Sequence, residues 1–117
     1  MSLFSRNAAL GGLFDAHIEE LARQEELAPE TVRAALEAGT MVLLGNPAHP
    51  GLRPLLVGQP SRIKVNANLG TSPLCNCPAT ENRKLEAALE AGADTVMDLS
   101  IAGDLDALRA DMLARCP

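Results

Sequence analysis

Asn66 and Asn68, two residues apart, and the polar pair Asp98 and Ser100 are the side chains with chemistry to offer a small ligand. They close two short apolar runs, Lys64-Val65-Asn66-Ala67-Asn68-Leu69-Gly70-Thr71-Ser72 and Ala93-Asp94-Thr95-Val96-Met97-Asp98-Leu99-Ser100. A buried strand that ends in small polar or acidic residues needs something polar to meet it there. Asparagine carries a donor and an acceptor without charge, which suits recognition of a polar heterocycle or a ribose better than proton transfer. The plainer use of the same pair is to close a turn before Gly70, since asparagine tolerates left-handed backbone geometry.

The elements that must position these residues read as alternating helices and strands. Phe14, Ile18, Leu21 and Ala22 recur at helical spacing and predict an amphipathic helix over residues 13–25. Pro29 at a first helical position and Gly39 as a stop predict a second helix over 29–38, followed by a strand over 40–44. Prolines 47, 50, 54 and 60 exclude helix between 45 and 61, with room for a short strand at 55–57. A strand is expected over 62–68, with Lys64, Asn66 and Asn68 on one face and Ile63, Val65 and Ala67 on the other. A helix over 80–91 stopped by Gly92, a strand over 95–99, and a last helix capped by Asp104 with Leu105, Leu108 and Met112 on one side complete the chain. The hexapeptide Ala-Ala-Leu-Glu-Ala-Gly occurs at 34–39 and again at 87–92, each time just ahead of a strand. Helix, glycine stop, strand is therefore a repeated construction, and it implies an α/β fold with a mostly parallel sheet. Ligands of such folds gather at the carboxyl ends of strands, where the two polar motifs lie.

Composition narrows the function classes. The 117 residues suit one core, built from leucine and alanine because Phe4 and Phe14 are the only aromatics. A net charge of −5 repels a phosphate backbone, and there are no aromatic platforms for bases, so nucleic acid is not expected as a partner. No apolar run is long enough to span a bilayer and the first 13 residues lack a signal-peptide pattern, so no membrane partner and a cytoplasmic location are expected. Cys75, Cys77 and Cys116 are an odd number, which does not suggest a disulfide framework. Cys75 and Cys77, one residue apart, read as loop cysteines without a metal; His17 reads as solvent-facing and His49 as a turn residue.

Lys64-Val65-Asn66-Ala67-Asn68-Leu69-Gly70, followed by Gly92-Ala93-Asp94-Thr95-Val96-Met97-Asp98-Leu99-Ser100, closely resembles the paired signature of the phosphomethylpyrimidine synthase (ThiC) family of thiamine biosynthesis. Asn46-Pro47-Ala48-His49-Pro50 resembles that family's upstream Asn-x-x-His-Pro segment. The resemblance implies a (β/α) barrel enzyme, a radical lyase that rearranges aminoimidazole ribotide to hydroxymethylpyrimidine phosphate. It implies three cofactors, S-adenosylmethionine, a 4Fe-4S cluster and zinc, with none of them ligated by these residues. It also places the family's substrate-contacting asparagine on Asn68 and its methionine on Met97. Asn66, Asp98 and Ser100 are second-tier candidates inside the same motifs. No residue here is assigned to catalysis and none to a metal.

On this reading residues 1–61 form N-terminal helices, one strand and a Pro-rich loop, and residues 62–117 form the first two strand-helix units of an incomplete barrel. Such an N-terminal portion is expected to be inactive alone. Ile101-Ala102-Gly103 departs from the family's usual Thr-Gly-Gly after Ser100 and sets a bulky β-branched residue beside the site. Two alternatives stand beside the leading one. The chain could belong to the related 5-hydroxybenzimidazole synthase, which starts from the same ribotide. It could also be a non-catalytic module whose exposed apolar helix faces pair with another copy.

Overall fold

The computed structural model describes residues 1–117, in two compact units, Met1–Ile63 and Lys64–Pro117. In the first, α1 (Leu3–Arg6) and α2 (Ala8–Glu25) precede α3 (Pro29–Ala38), β1 (Met41–Leu44) and β2 (Leu55–Gly58). In the second, β3 (Asn66–Leu69), α4 (Pro78–Glu90), β4 (Thr95–Asp98) and α5 (Leu105–Arg115) follow one another.

The first unit is built on an antiparallel pair. Met41 stands opposite Gly58 and Leu44 opposite Leu55, so the expectation of a mostly parallel sheet fails here. The reason lies in the segment between the strands. Ala48 N–H donates to the Asn46 side chain, His49 N–H to the Asn46 carbonyl and Leu52 N–H to the His49 carbonyl, and these turns reverse the chain. The core gathers Phe14, Leu21, Val32, Leu36, Met41 and Leu56, as the helical spacing of α2 and α3 requires. The Arg33 guanidinium stacks on both phenylalanine rings, 4.5 Å from Phe4 and 4.6 Å from Phe14. The α2 helix starts five residues earlier than its apolar spacing suggests. Asn7 caps it through the Leu10 N–H, and Gly11-Gly12, poor helix formers, are carried along once the cap is made.

The second unit is a parallel β-α-β with a helix appended. Asn66 pairs with Thr95, Asn68 with Met97 and Leu69 with Asp98. Leu69, Leu85, Leu108 and Met112 form its core, with Leu89, Val96 and Cys116 against them, so α4 and α5 cover one face of the pair. Asp104 caps α5 through the Ala107 N–H, as its position predicts. The β3 strand is shorter than the expected 62–68. Val65 donates its N–H to the Asp94 carboxylate and accepts from the N–H groups of Asp94 and Thr95, so it is tied to the turn before β4. Ile63 and Val65, expected on the strand face opposite Lys64, Asn66 and Asn68, precede the strand and are exposed.

The two copies of the hexapeptide make the same hydrogen bonds. Gly39 and Gly92 adopt positive φ, each donating to the carbonyl three residues back, and Thr40 and Ala93 each donate to the carbonyl five back. This is the Schellman stop, which only glycine makes without cost. Glu26 closes α2 in the same way at φ 56°, as a non-glycine residue.

Candidate functional site

The polar strand residues sort into two sets by face. Alternate residues of a strand share a side, and parallel register sets Asn66, Asn68, Thr95 and Met97 on the face that α4 and α5 leave open. Asn66 and Asn68 are exposed and Met97 is 50% exposed. Thr95 Oγ1 donates to Asn66 Oδ1 at 2.8 Å, and Asn66 Nδ2 donates to Asn68 Oδ1 at 2.7 Å. Asn68 and Met97 are direct cross-strand neighbours, an amide beside a polarizable thioether. Together they offer hydrogen bonding and apolar contact to a flat polar ring.

The other set braces the strand ends. Asp98 accepts from the Ser100 N–H at 2.9 Å and from Arg109 Nε at 2.8 Å. Partial burial pushes the Asp98 carboxyl up, but the hydrogen bonds from Ser100 and Arg109 outweigh it and hold the group below the usual carboxylate range. Ser100 is buried, and its hydroxyl accepts the Thr71 N–H at 3.0 Å. Thr71, also buried, donates its hydroxyl to the Ala102 carbonyl at 2.6 Å, and its own carbonyl accepts the Ile101 N–H. The loops leaving β3 and β4 are thereby stitched together. Gly70 sits so close to the neighbouring chain that a Cβ there would meet the Leu99 carbonyl carbon at 2.7 Å and the Ser100 nitrogen at 2.8 Å.

Glu81 is the group that sequence reasoning missed. It is 1% exposed, accepts the Gly70 N–H at 2.8 Å and pairs with Lys84 at 2.6 Å. In the sequence it looks like one more acid in the first turn of a helix. The available signal was its position four residues before Leu85, which puts both on the buried face of α4.

Of the five residues singled out in the sequence, the structure brings Asn66, Asn68 and Met97 together on the open face. Asp98 and Ser100 lie beneath, committed to neighbouring backbone and to Arg109. Ile101 is largely exposed. His17, expected in solvent, is partly covered on α2, and His49 lies in the turn between β1 and β2.

The cysteines do not fit the cofactors that the motifs imply. Cys75 and Cys77 are exposed, Cys116 packs against the core of the second unit, and no three His, Cys, Asp or Glu residues gather as a metal site. The Thr80 hydroxyl beside Cys77 lowers that thiol, while burial pushes Cys116 up. No helix is long and apolar enough to cross a membrane.

Comparison with known proteins supplies the family. Residues 5–117 match the model of the radical SAM ThiC family. A phosphomethylpyrimidine synthase of Desulforudis audaxviator is 44% identical over 110 residues, 94% of this chain and 26% of that protein. One from Moorella thermoacetica is 43% identical over the same coverage, and one from Natronomonas pharaonis is 40% identical over 93% of this chain and 23% of that protein. The chain thus spans about a quarter of the length of the curated relatives it matches, and over nearly all of its own length it belongs to the radical SAM ThiC family.

Proposed function

We propose that this segment forms one side of the substrate site of a phosphomethylpyrimidine synthase, the lyase that converts aminoimidazole ribotide to hydroxymethylpyrimidine phosphate in thiamine biosynthesis. The observation that carries the reading is the exposed Asn68–Met97 pair, adjacent in register at the end of a parallel strand pair, in a chain of that family. Asn68 meets a polar edge of the ribotide and Met97 lies against its ring. Asn66 sets the amide beside it, and Asp98 and Ser100 hold the loops behind. In the whole enzyme β3-α4 and β4-α5 serve as two βα units of a (β/α) barrel, the uncovered face turning inward. The S-adenosylmethionine, the cluster and zinc are held by chain outside this segment, whose own part is to bind and orient. The relatives compared are all named phosphomethylpyrimidine synthases, which favours this reading over a 5-hydroxybenzimidazole synthase.

The test is a calorimetric titration of aminoimidazole ribotide into a full-length enzyme carrying these residues. Asn68→Ala is expected to weaken binding about tenfold, the value of one well-made hydrogen bond. Unchanged affinity overturns the assignment.

A second reading, an interaction module that pairs with another copy, is favoured by apolar exposure at Val65, Met97, Leu99 and Ile101. Those residues lie just ahead of β3, in β4 and directly after it, not on the helix faces anticipated from sequence. Sedimentation at micromolar concentration separates the two readings, since a clean monomer removes this one.

A further inference from the structure

The loop from β3 into α4 carries two thiols that the substrate reading does not use. Cys75 and Cys77 are both exposed and stand one residue apart, at the carboxyl end of the parallel strand pair. The loop around them is fastened on both sides. Cys75 exchanges backbone hydrogen bonds with Ser72 at 3.0 and 3.1 Å, and its N–H also meets the Ser72 hydroxyl. Asn76 lies so close to Gly103, in the loop after β4, that a Cβ there would meet its Oδ1 at 2.6 Å. Cys77 is extended and caps α4, its carbonyl taking the N–H groups of Thr80 and Glu81. Alternate residues of extended chain share a side, so with Asn76 set against Gly103 the two thiols stand together on the other side.

The two sulfurs are not equivalent. The Thr80 hydroxyl lies 3.3 Å from Cys77 Sγ, and Arg83 Nη2 reaches the Thr80 oxygen at 3.4 Å. Arginine can only donate, so it takes a lone pair of the hydroxyl oxygen and leaves the hydroxyl hydrogen for the sulfur; a thiolate, in turn, can only accept. The Thr80 hydroxyl first, then the Thr80 and Ala79 N–H groups at the helix start and the Arg83 charge, hold the Cys77 thiol below its ordinary range. At Cys75 the hydrogen bonds are made by the backbone. We propose that Cys75 and Cys77 form a reversible dithiol site, with Cys77 the attacking sulfur, Cys75 the one that closes on it, and a hydroperoxide the co-reactant. The Cys77 thiolate attacks one peroxide oxygen. The O–O bond breaks, the sulfur gives up two electrons and becomes a sulfenic acid, and the other oxygen leaves with a proton as water or an alcohol. Cys75 then attacks that sulfur; the S–S bond forms, the S–O bond breaks, and hydroxide leaves as water with the Cys75 proton. Two residues of extended chain span about 6.6 Å, the upper end of the Cα separation a disulfide tolerates, so closure draws Cys77 away from Thr80. A bridge under that strain is readily reopened by an external dithiol. Cys116, packed against the core of the second unit and pushed up by burial, stays out of the exchange.

The test is mass spectrometry of the reduced 117-residue chain after hydrogen peroxide at neutral pH. One tryptic peptide, residues 65–83, holds both thiols. It is expected to lose two hydrogens and to regain them with a dithiol reductant. In Cys75→Ser the same peptide should instead gain one oxygen on Cys77, trapped by dimedone, and in Cys77→Ser oxidation at Cys75 should largely cease. Thr80→Val is expected to slow the parent reaction about threefold at neutral pH, because the thiolate fraction falls, and Thr80→Ser should restore it. The gap should close in alkaline buffer, where parent and variant both carry the thiolate, whereas a folding defect would persist there. A valine variant as fast as the parent at neutral pH overturns the activated Cys77, and so does Cys75 reacting at the parent rate in Cys77→Ser. A parent peptide that gains oxygen without losing hydrogens, or chains that cross-link to one another, overturns the pairing.

Discussion

In the Met1–Ile63 unit the buried carboxylate of Glu25 takes the backbone N–H of Arg62 and fastens the chain leaving β2. In the Lys64–Pro117 unit the buried carboxylate of Glu81 takes the N–H of Gly70 and fastens a loop leaving β3. Burying a carboxylate costs several kcal/mol unless its oxygens are well paired, so neither is an idle choice. Their surroundings differ. Glu25 is the one buried polar residue in a unit otherwise packed by aliphatic groups and two aromatic rings. Glu81 is joined by Thr71 and Ser100, all three gathered at the carboxyl ends of two parallel strands. The antiparallel unit uses its buried polar group to hold chain to core; the parallel unit uses three to hold two strand ends in one arrangement beneath Asn68 and Met97. On the proposed reading, this bracing lies directly behind the groups that would meet the ligand.

The contrast can be broken at its strongest point by Glu81→Ala. Removing the carboxylate leaves the Gly70 N–H without its acceptor and should cost about 2–4 kcal/mol in urea unfolding. Amide exchange at Gly70 and Thr71 should accelerate while Val32 and Leu36 stay protected. Equal loss of protection at Val32 and Leu36 would mean that the two units do not differ in the way described.

A smaller effect is expected from Asp98→Asn, about 1–2 kcal/mol at neutral pH, because the ion pair with Arg109 is lost while an acceptor for Ser100 remains. The sign with pH comes from the lowered folded-state value of Asp98. Its contribution is present above the unfolded carboxyl value near 4 and disappears as pH falls through the lower folded one. Wild type and variant should therefore converge in stability as acid is added, and a gap that persists in acid would assign the cost to shape rather than charge.

The smallest change belongs to the first unit and should be a gain. Glu26→Gly places a glycine where a left-handed residue closes α2 and should stabilise by about 0.5–1 kcal/mol in thermal unfolding. A loss would show that the glutamate side chain does more there than tolerate its backbone.

Local rules were legible in the sequence and pairing rules were not. The starts and stops of α3 and α5 are set by Pro29, Gly39 and Asp104, each acting within a few residues. The open-face residues Asn66, Asn68 and Met97 could be named because two motifs resemble a known signature. Strand partners were out of reach, since identical hexapeptides with identical hydrogen bonds lead into an antiparallel strand in one unit and a parallel one in the other. A helix stop is decided by a few neighbours; what the next strand pairs with is decided by chain ten or thirty residues away. Glu81 was hidden for a related reason. Whether a carboxylate on a helix meets water or a backbone N–H depends on a loop that helical spacing does not describe. Asp98 and Ser100 alternate with Met97 and so share the covered side with Val96, where Ser100 meets Thr71; which side the helices would cover was not written in the motif.

Gly70 bears on how such a site can be inherited. A single methyl group at this position would collide with the backbone of Leu99 and Ser100. The strand ends that carry Asn68 and Met97 therefore depend on there being no side chain at residue 70. The groups proposed to meet the substrate could be exchanged one at a time, but adding one carbon at residue 70 would force the two strand ends apart. The least conspicuous residue of the motif sets the narrowest tolerance on its geometry.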